Sequence, residues 1–134
     1  MLIGWLVSVL LALGVTPTLE GVATYYAADR HAGRPLYCDQ YLPEVQVYDE
    51  AASPWFSVDV GEYQSGRVRC GEWFLLAFGN GTYLVAQALD AGRFVGRYVL
   101  DYGPDRPVVV DLPEHLHPNG GAILVSGYSL DAGW

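Results

Sequence analysis

Apolar residues in this chain come in short runs broken by glycine, proline and polar positions. After residue 20 no run keeps a 3.6-residue period long enough for a helix. Gly21-Val22-Ala23-Thr24-Tyr25-Tyr26 predicts a strand. Residues 27–44 hold Gly, Pro and polar side chains and predict a long loop. Val45-Gln46-Val47-Tyr48 alternates as a half-buried strand does, and Trp55-Phe56-Ser57-Val58 is a further short strand. Residues 73–78 are apolar, Gly79-Asn80-Gly81 supplies a hairpin turn, and residues 82–89 return. Tyr98-Val99-Leu100, Val108-Val109-Val110 and Ala122-Ile123-Leu124-Val125 complete the set. Short strands joined by glycine-rich turns predict an all-β fold closed into a small barrel. No repeat, linker or low-complexity tract divides it, so one domain is expected.

The start of the chain departs from this pattern. Residues 2–15 are almost unbroken apolar, interrupted only by Gly4 and Ser8. That length suits the hydrophobic region of an export signal and is short for a membrane span. Ala12-Leu13-Gly14 offers small residues where a signal peptidase reads, although no Lys or Arg precedes the run. Residues 1–18 are therefore expected to be a signal peptide or hydrophobic anchor, with a buried core helix as the alternative, and residues 19–134 the barrel. The two cysteines, Cys38 and Cys70, fit export. An even count in a small exported domain predicts a disulfide, worth about 3–4 kcal/mol for a loop of this length. Two cysteines without a C-x-x-C spacing do not make a zinc site.

Charge narrows the partners. The net charge is −8, and the seven cationic residues are all arginine. An acidic chain without a basic cluster is unsuited to nucleic acid, and equally to an anionic lipid surface except through the N-terminal segment.

The candidate chemistry centres on Ala88-Leu89-Asp90-Ala91-Gly92-Arg93-Phe94, which ends the run 82–89 in an acid and a glycine. Burial disfavours the charged form of a carboxyl unless donors hold it, so an acid at the end of a core strand is a place for a general acid. The plainer reading is a turn aspartate capping the next backbone amide.

The order of motifs carries a resemblance. Gly21-x-Ala23-Thr24-x-Tyr26 is followed by a loop cysteine, Ala51-Ala52, Cys70-Gly71, a strand running into Asp90-x-Gly92, then Asp111-Leu112-Pro113 and a glycine-led last strand. This resembles the double-psi β-barrel superfamily of secreted cell-wall proteins, which includes rare-lipoprotein-A-like, expansin-like and barwin-like domains and related endoglucanases. The likeness spans residues 21 to about 128. Arg93 stands where the family's Asp-x-Gly-Pro-Phe has proline, and Phe94 is kept. Asp101-Tyr102-Gly103-Pro104 is a second candidate for the same motif; Asp90 is preferred because it follows directly from its strand.

The resemblance implies a six-stranded double-psi barrel with long loops, acting on wall polysaccharide, peptidoglycan first, without a cofactor or metal. It implies Asp90 as the acid that protonates the glycosidic oxygen. An inverting hydrolase needs a second carboxylate to activate water, and Asp29 is the nearest candidate. A lytic transglycosylase needs none, because the sugar's own hydroxyl attacks. Asp111 would then sit close by, although it reads first as a barrel residue bonding loop amides. The histidine that rare-lipoprotein-A-like enzymes carry near Cys70-Gly71 has no counterpart here. Tyr25, Tyr26, Trp55 and Phe94, with Tyr37, Tyr41 and Trp73 in reserve, are candidate platforms for sugar rings. Core packing is the favoured role of Trp73 and Phe94, and only one of Tyr25 and Tyr26 can face a groove. A non-catalytic module that binds glycan or protein, or a structural part of an envelope or virion assembly, is the rival reading. His115 and His117 would share one face if extended; with His31 they make no metal motif. Asn80-Gly81-Thr82 fits a glycosylation sequon but reads first as the hairpin turn.

Overall fold

The computed structural model describes residues 15–26, 36–41, 54–119 and 121–131. The strand predicted at Val45 to Tyr48, Ala51-Ala52, Asp29, His31 and most of the expected leader lie outside these residues.

Six strands close into one mixed barrel: β1 (Leu19–Tyr26), β2 (Trp55–Asp59), β3 (Trp73–Phe78), β4 (Tyr83–Gly92), β5 (Val108–Pro113) and β6 (Ile123–Ser129). Their order around the barrel is β1-β5-β2-β4-β3-β6. The β1–β5 and β2–β4 pairs are parallel and the rest antiparallel. Closure leaves these six strands no open edge to pair with another chain.

Alternation along each strand fills the interior. Ala23, Phe56, Val58, Phe74, Leu76, Ala86, Ala88, Val110 and Leu112 form the main core. β3 and β4 are joined by the predicted hairpin. Gly81 has φ +86° there, and Asn80 Oδ1 accepts from the backbone N–H and hydroxyl of Thr82. The N-terminal part of β1 runs so close to β5 that a Cβ on Gly21 would collide with the Pro107 carbonyl.

Two expectations are corrected. Residues 98–100 are not a strand: Tyr98 makes one isolated bridge to Pro107, and Leu100–Tyr102 is a 3-10 turn. One bridge cannot hold a strand on the sheet. A helix also exists where none was expected, α1 (Val60–Gln64). It is too short to show a period. Asp59 caps it by accepting from the Gly61 N–H at 2.8 Å.

Outside the barrel, residues 36–41 lie across β2 and β4. Leu36 and Cys38 pack there with Tyr26, Trp55 and Leu89 in a second apolar cluster. The disulfide Cys38–Cys70 fastens this strap, with Cα atoms 5.5 Å apart.

Candidate functional site

The site is built by a bulge. In β4, Ala86 and Ala88 enter the core, so simple alternation would send Asp90 inward too. Instead the pairing with β2 runs Phe56↔Ala88 and then Ser57↔Asp90, which leaves Leu89 as an extra residue. The slip turns Asp90 onto the same face as Ser57. Ser57 lies between Phe56 and Val58, both in the core, and therefore points outward.

Two more pairings extend the row. Ser57 pairs with Asp111 on β5, and Asp111 with Thr24 on β1. Asp90, Ser57, Asp111 and Thr24 thus form a polar line across four adjacent strands. Two strand spacings put the Asp90 and Asp111 Cα atoms roughly 10 Å apart. Thr24 Oγ1 donates to Asp111 Oδ1 at 3.0 Å.

Asp90 is only 7% exposed because the strap covers it. The Tyr37 N–H donates to its Oδ1 at 2.9 Å, and Ser57 Oγ donates to Oδ2 at 3.4 Å. The amide that Asp90 holds is therefore not the next one in its own turn but one from a segment far away in sequence. The Tyr63 hydroxyl donates to the Asp90 carbonyl at 2.9 Å. Burial pushes the Tyr63 phenol far above its usual range, and the charges of Asp90, Tyr37 and Glu72 add to this. Tyr63 therefore stays a neutral donor at any working pH. Asp101 is exposed on its 3-10 turn.

On the other flank of Asp111, His117 is buried. Its Nε2 donates to the Ala23 carbonyl at 3.3 Å, while Nδ1 accepts from the Asn119 N–H. Burial holds this imidazole below its usual value, against the opposing pull of the Ala23 carbonyl and Asp111. Tyr25 meets its ring edge-on at 5.6 Å. His115 is exposed on the preceding 3-10 turn, so the two histidines do not share a face. Among the described residues no three His, Cys, Asp or Glu side chains are grouped as a metal site needs.

The aromatic candidates separate by burial. Trp55 is 1% exposed and stacks obliquely on Tyr26 beneath the strap, with centroids 5.9 Å apart. Phe94 is also buried, its N–H bonded to Asp59 Oδ1 at 2.6 Å, and its ring borders a cleft of about 460 Å³ beside Asp59, Glu20 and Glu62. Tyr25 is 43% exposed. The open aromatic surface lies elsewhere. Tyr37 stacks on Tyr63 at 5.1 Å and meets Tyr41, itself 60% exposed, at 5.8 Å. The sequence reading gave no role to Ser57 or Tyr63. Ser57 was signalled as the lone polar residue in Trp55-Phe56-Ser57-Val58; Tyr63 rides on a helix too short to detect.

No protein-family model matches the chain, and no curated protein matches it.

Proposed function

We propose that this chain is an exported double-psi β-barrel of the rare-lipoprotein-A and expansin kind that cleaves cell-wall polysaccharide, peptidoglycan first, with Asp90 as general acid. The observation that carries the reading is the bulge at Leu89, which turns an acid out of the core and onto a polar row beside a second carboxylate. The mixed barrel order with two parallel strand pairs also supports it. A glycosidic oxygen leaves as a strongly basic alkoxide, so a proton must reach it as the bond breaks. Asp90 supplies that proton. Ser57, a hydroxyl that can donate or accept, serves either protonation state of Asp90.

On the lytic route the sugar's own hydroxyl attacks and no water-activating base is needed. Asp111, held by Thr24, then stabilises the positive charge that develops on the sugar ring. The first residues of the chain, 1–18, direct export or anchoring, and the partner is wall glycan.

One observation favours a second reading. Asp90 grips the Tyr37 amide, so it can serve as the post that holds the strap on a glycan- or protein-binding module. Incubating the protein with peptidoglycan and identifying soluble products by mass spectrometry separates the two. Glycan fragments ending in an intramolecular anhydro sugar support the lytic reading. Binding without any fragment rejects it in favour of the module.

A further inference from the structure

The disulfide joins more than two cysteines. Cys38 is followed back by Tyr37 and Cys70 is preceded by Arg69, so the bridge fixes an aromatic ring and a guanidinium-bearing residue on either side of one cleft. That cleft, of about 350 Å³, is lined by Tyr37, Tyr41, Tyr63, Gln64, Val68 and Arg69 among others. Tyr37 is backed on one side by Tyr63, with ring planes 17° apart. The exposed ring of Tyr41, with the part of half-buried Tyr37 that lines the cleft, offers a surface to a ligand.

Its charge is unlike that of its surroundings. The chain carries a net −8, and the cleft beside Phe94 is lined by Glu20, Asp59 and Glu62. The cation of that cleft, Arg67, is committed: it pairs with Glu62 at 3.1 Å and donates to the Thr18 carbonyl. Among the described residues that line the tyrosine cleft there is no carboxylate. Arg69 is exposed there, its backbone N–H is tied to Glu72 Oε1 at 2.9 Å, and its guanidinium makes no ion pair among the described residues.

From this geometry we infer that the tyrosine cleft binds a saccharide bearing a carboxylate, with a sugar ring on Tyr41 and Tyr37 and the carboxylate on Arg69. Pyranose rings present apolar C–H faces that lie on aromatic rings. A guanidinium matches a carboxylate with two parallel hydrogen bonds. Arg69 is the one cation among the described lining residues of this cleft, and one cation suits one isolated carboxylate, not a polyanion. Part of the inference rests on the glycan reading above, and it extends the site: the Tyr37 amide holds Asp90, so the cleft begins one residue from the proposed acid.

The full chain is titrated, by NMR, with two disaccharides of matched size. One is chitobiose, which is neutral; the other is N-acetylglucosaminyl-N-acetylmuramic acid, which adds a carboxylate. The carboxylate-bearing sugar should bind about tenfold more tightly, and the preference should shrink as ionic strength rises from about 0.05 to about 0.5 M. Arg69→Gln should remove the preference while keeping the weaker binding. Tyr41→Ala should weaken both sugars by about tenfold at an unchanged melting temperature. Equal affinity for the two sugars, no binding of either, or parent-like binding by Tyr41→Ala overturns the inference. Cleavage of glycan without binding in this cleft would sink the subsite and leave the proposed activity standing; binding here without cleavage would do the reverse.

Discussion

At the scale of single residues, Asp90 is tied to the strap and His117 to β1. Asp90 accepts from a backbone amide and a hydroxyl. Asparagine keeps an oxygen to accept from the Tyr37 N–H and an NH2 that can donate to the Ser57 hydroxyl, whereas alanine leaves both partners unpaired under the strap. Asp90→Ala should therefore lose about 1–3 kcal/mol in chemical denaturation, with Asp90→Asn losing clearly less. Equal losses would show that the bonds to Tyr37 and Ser57 do not hold the strap. His117 is buried as the neutral imidazole, below its usual value. The unfolded chain takes up a proton near pH 6.5 that the native state resists. The sign follows from linkage. The contribution is complete above that pH and is lost as pH falls below about 6.5 toward the lower native value. His117→Gln should flatten this limb of the curve of Tm against pH. Parallel curves for the parent and the variant would contradict the assignment.

At the scale of elements, local signals were legible and non-local ones were not. The β3–β4 hairpin could be read because Asn80 and Gly81 carry its turn within the sequence. β1 could be read from its apolar run, and Gly21 now has a reason to lack a side chain. Gly21→Ala should cost about 1–3 kcal/mol, measured by thermal or chemical unfolding, because the added carbon meets the Pro107 carbonyl. Unchanged stability would mean that β1 and β5 can separate there. The bulge at Leu89 could not be read, since alternation within β4 says nothing of a slip against β2. Residues 98–100 misled because β-branched and aromatic residues mark a strand only where a partner strand exists. The disulfide pairing followed from parity alone, and the structure bears it out. It spans a sequence separation of 32 residues. Its reduction should lower stability by about 3–4 kcal/mol and expose Asp90. Faster proteolysis within residues 36–41 after reduction would be the visible sign. A reduced protein as stable as the oxidised one would deny the strap its role.

At the scale of the whole molecule, the all-β barrel was legible because its pattern is distributed over the chain: short strands, glycine turns and no helical period. The site was legible in part. Asp90 and Asp111 were found as acids at strand positions, but what joins them, the outward row through Ser57, depends on strand order, which no local pattern records. Tyr37 and Tyr41 were among the aromatic candidates and core packing was the favoured role of Phe94; the burial of Trp55 was not legible. Trp55 and Phe94 are large and apolar, and so they are buried. Tyr37 and Tyr41 stay near the surface because a phenol hydroxyl prefers a polar end, whereas the Tyr63 hydroxyl turns inward to the Asp90 carbonyl.

The most direct test of the central claim compares rates of fragment release from peptidoglycan by the parent, Asp90→Asn and Asp101→Asn. Removing the general acid should slow release by about 10²–10⁴-fold while the barrel stays folded, and Asp101→Asn, on its exposed turn, should match the parent. Full activity in Asp90→Asn, or loss in Asp101→Asn alone, would contradict the assignment of the acid to the polar row.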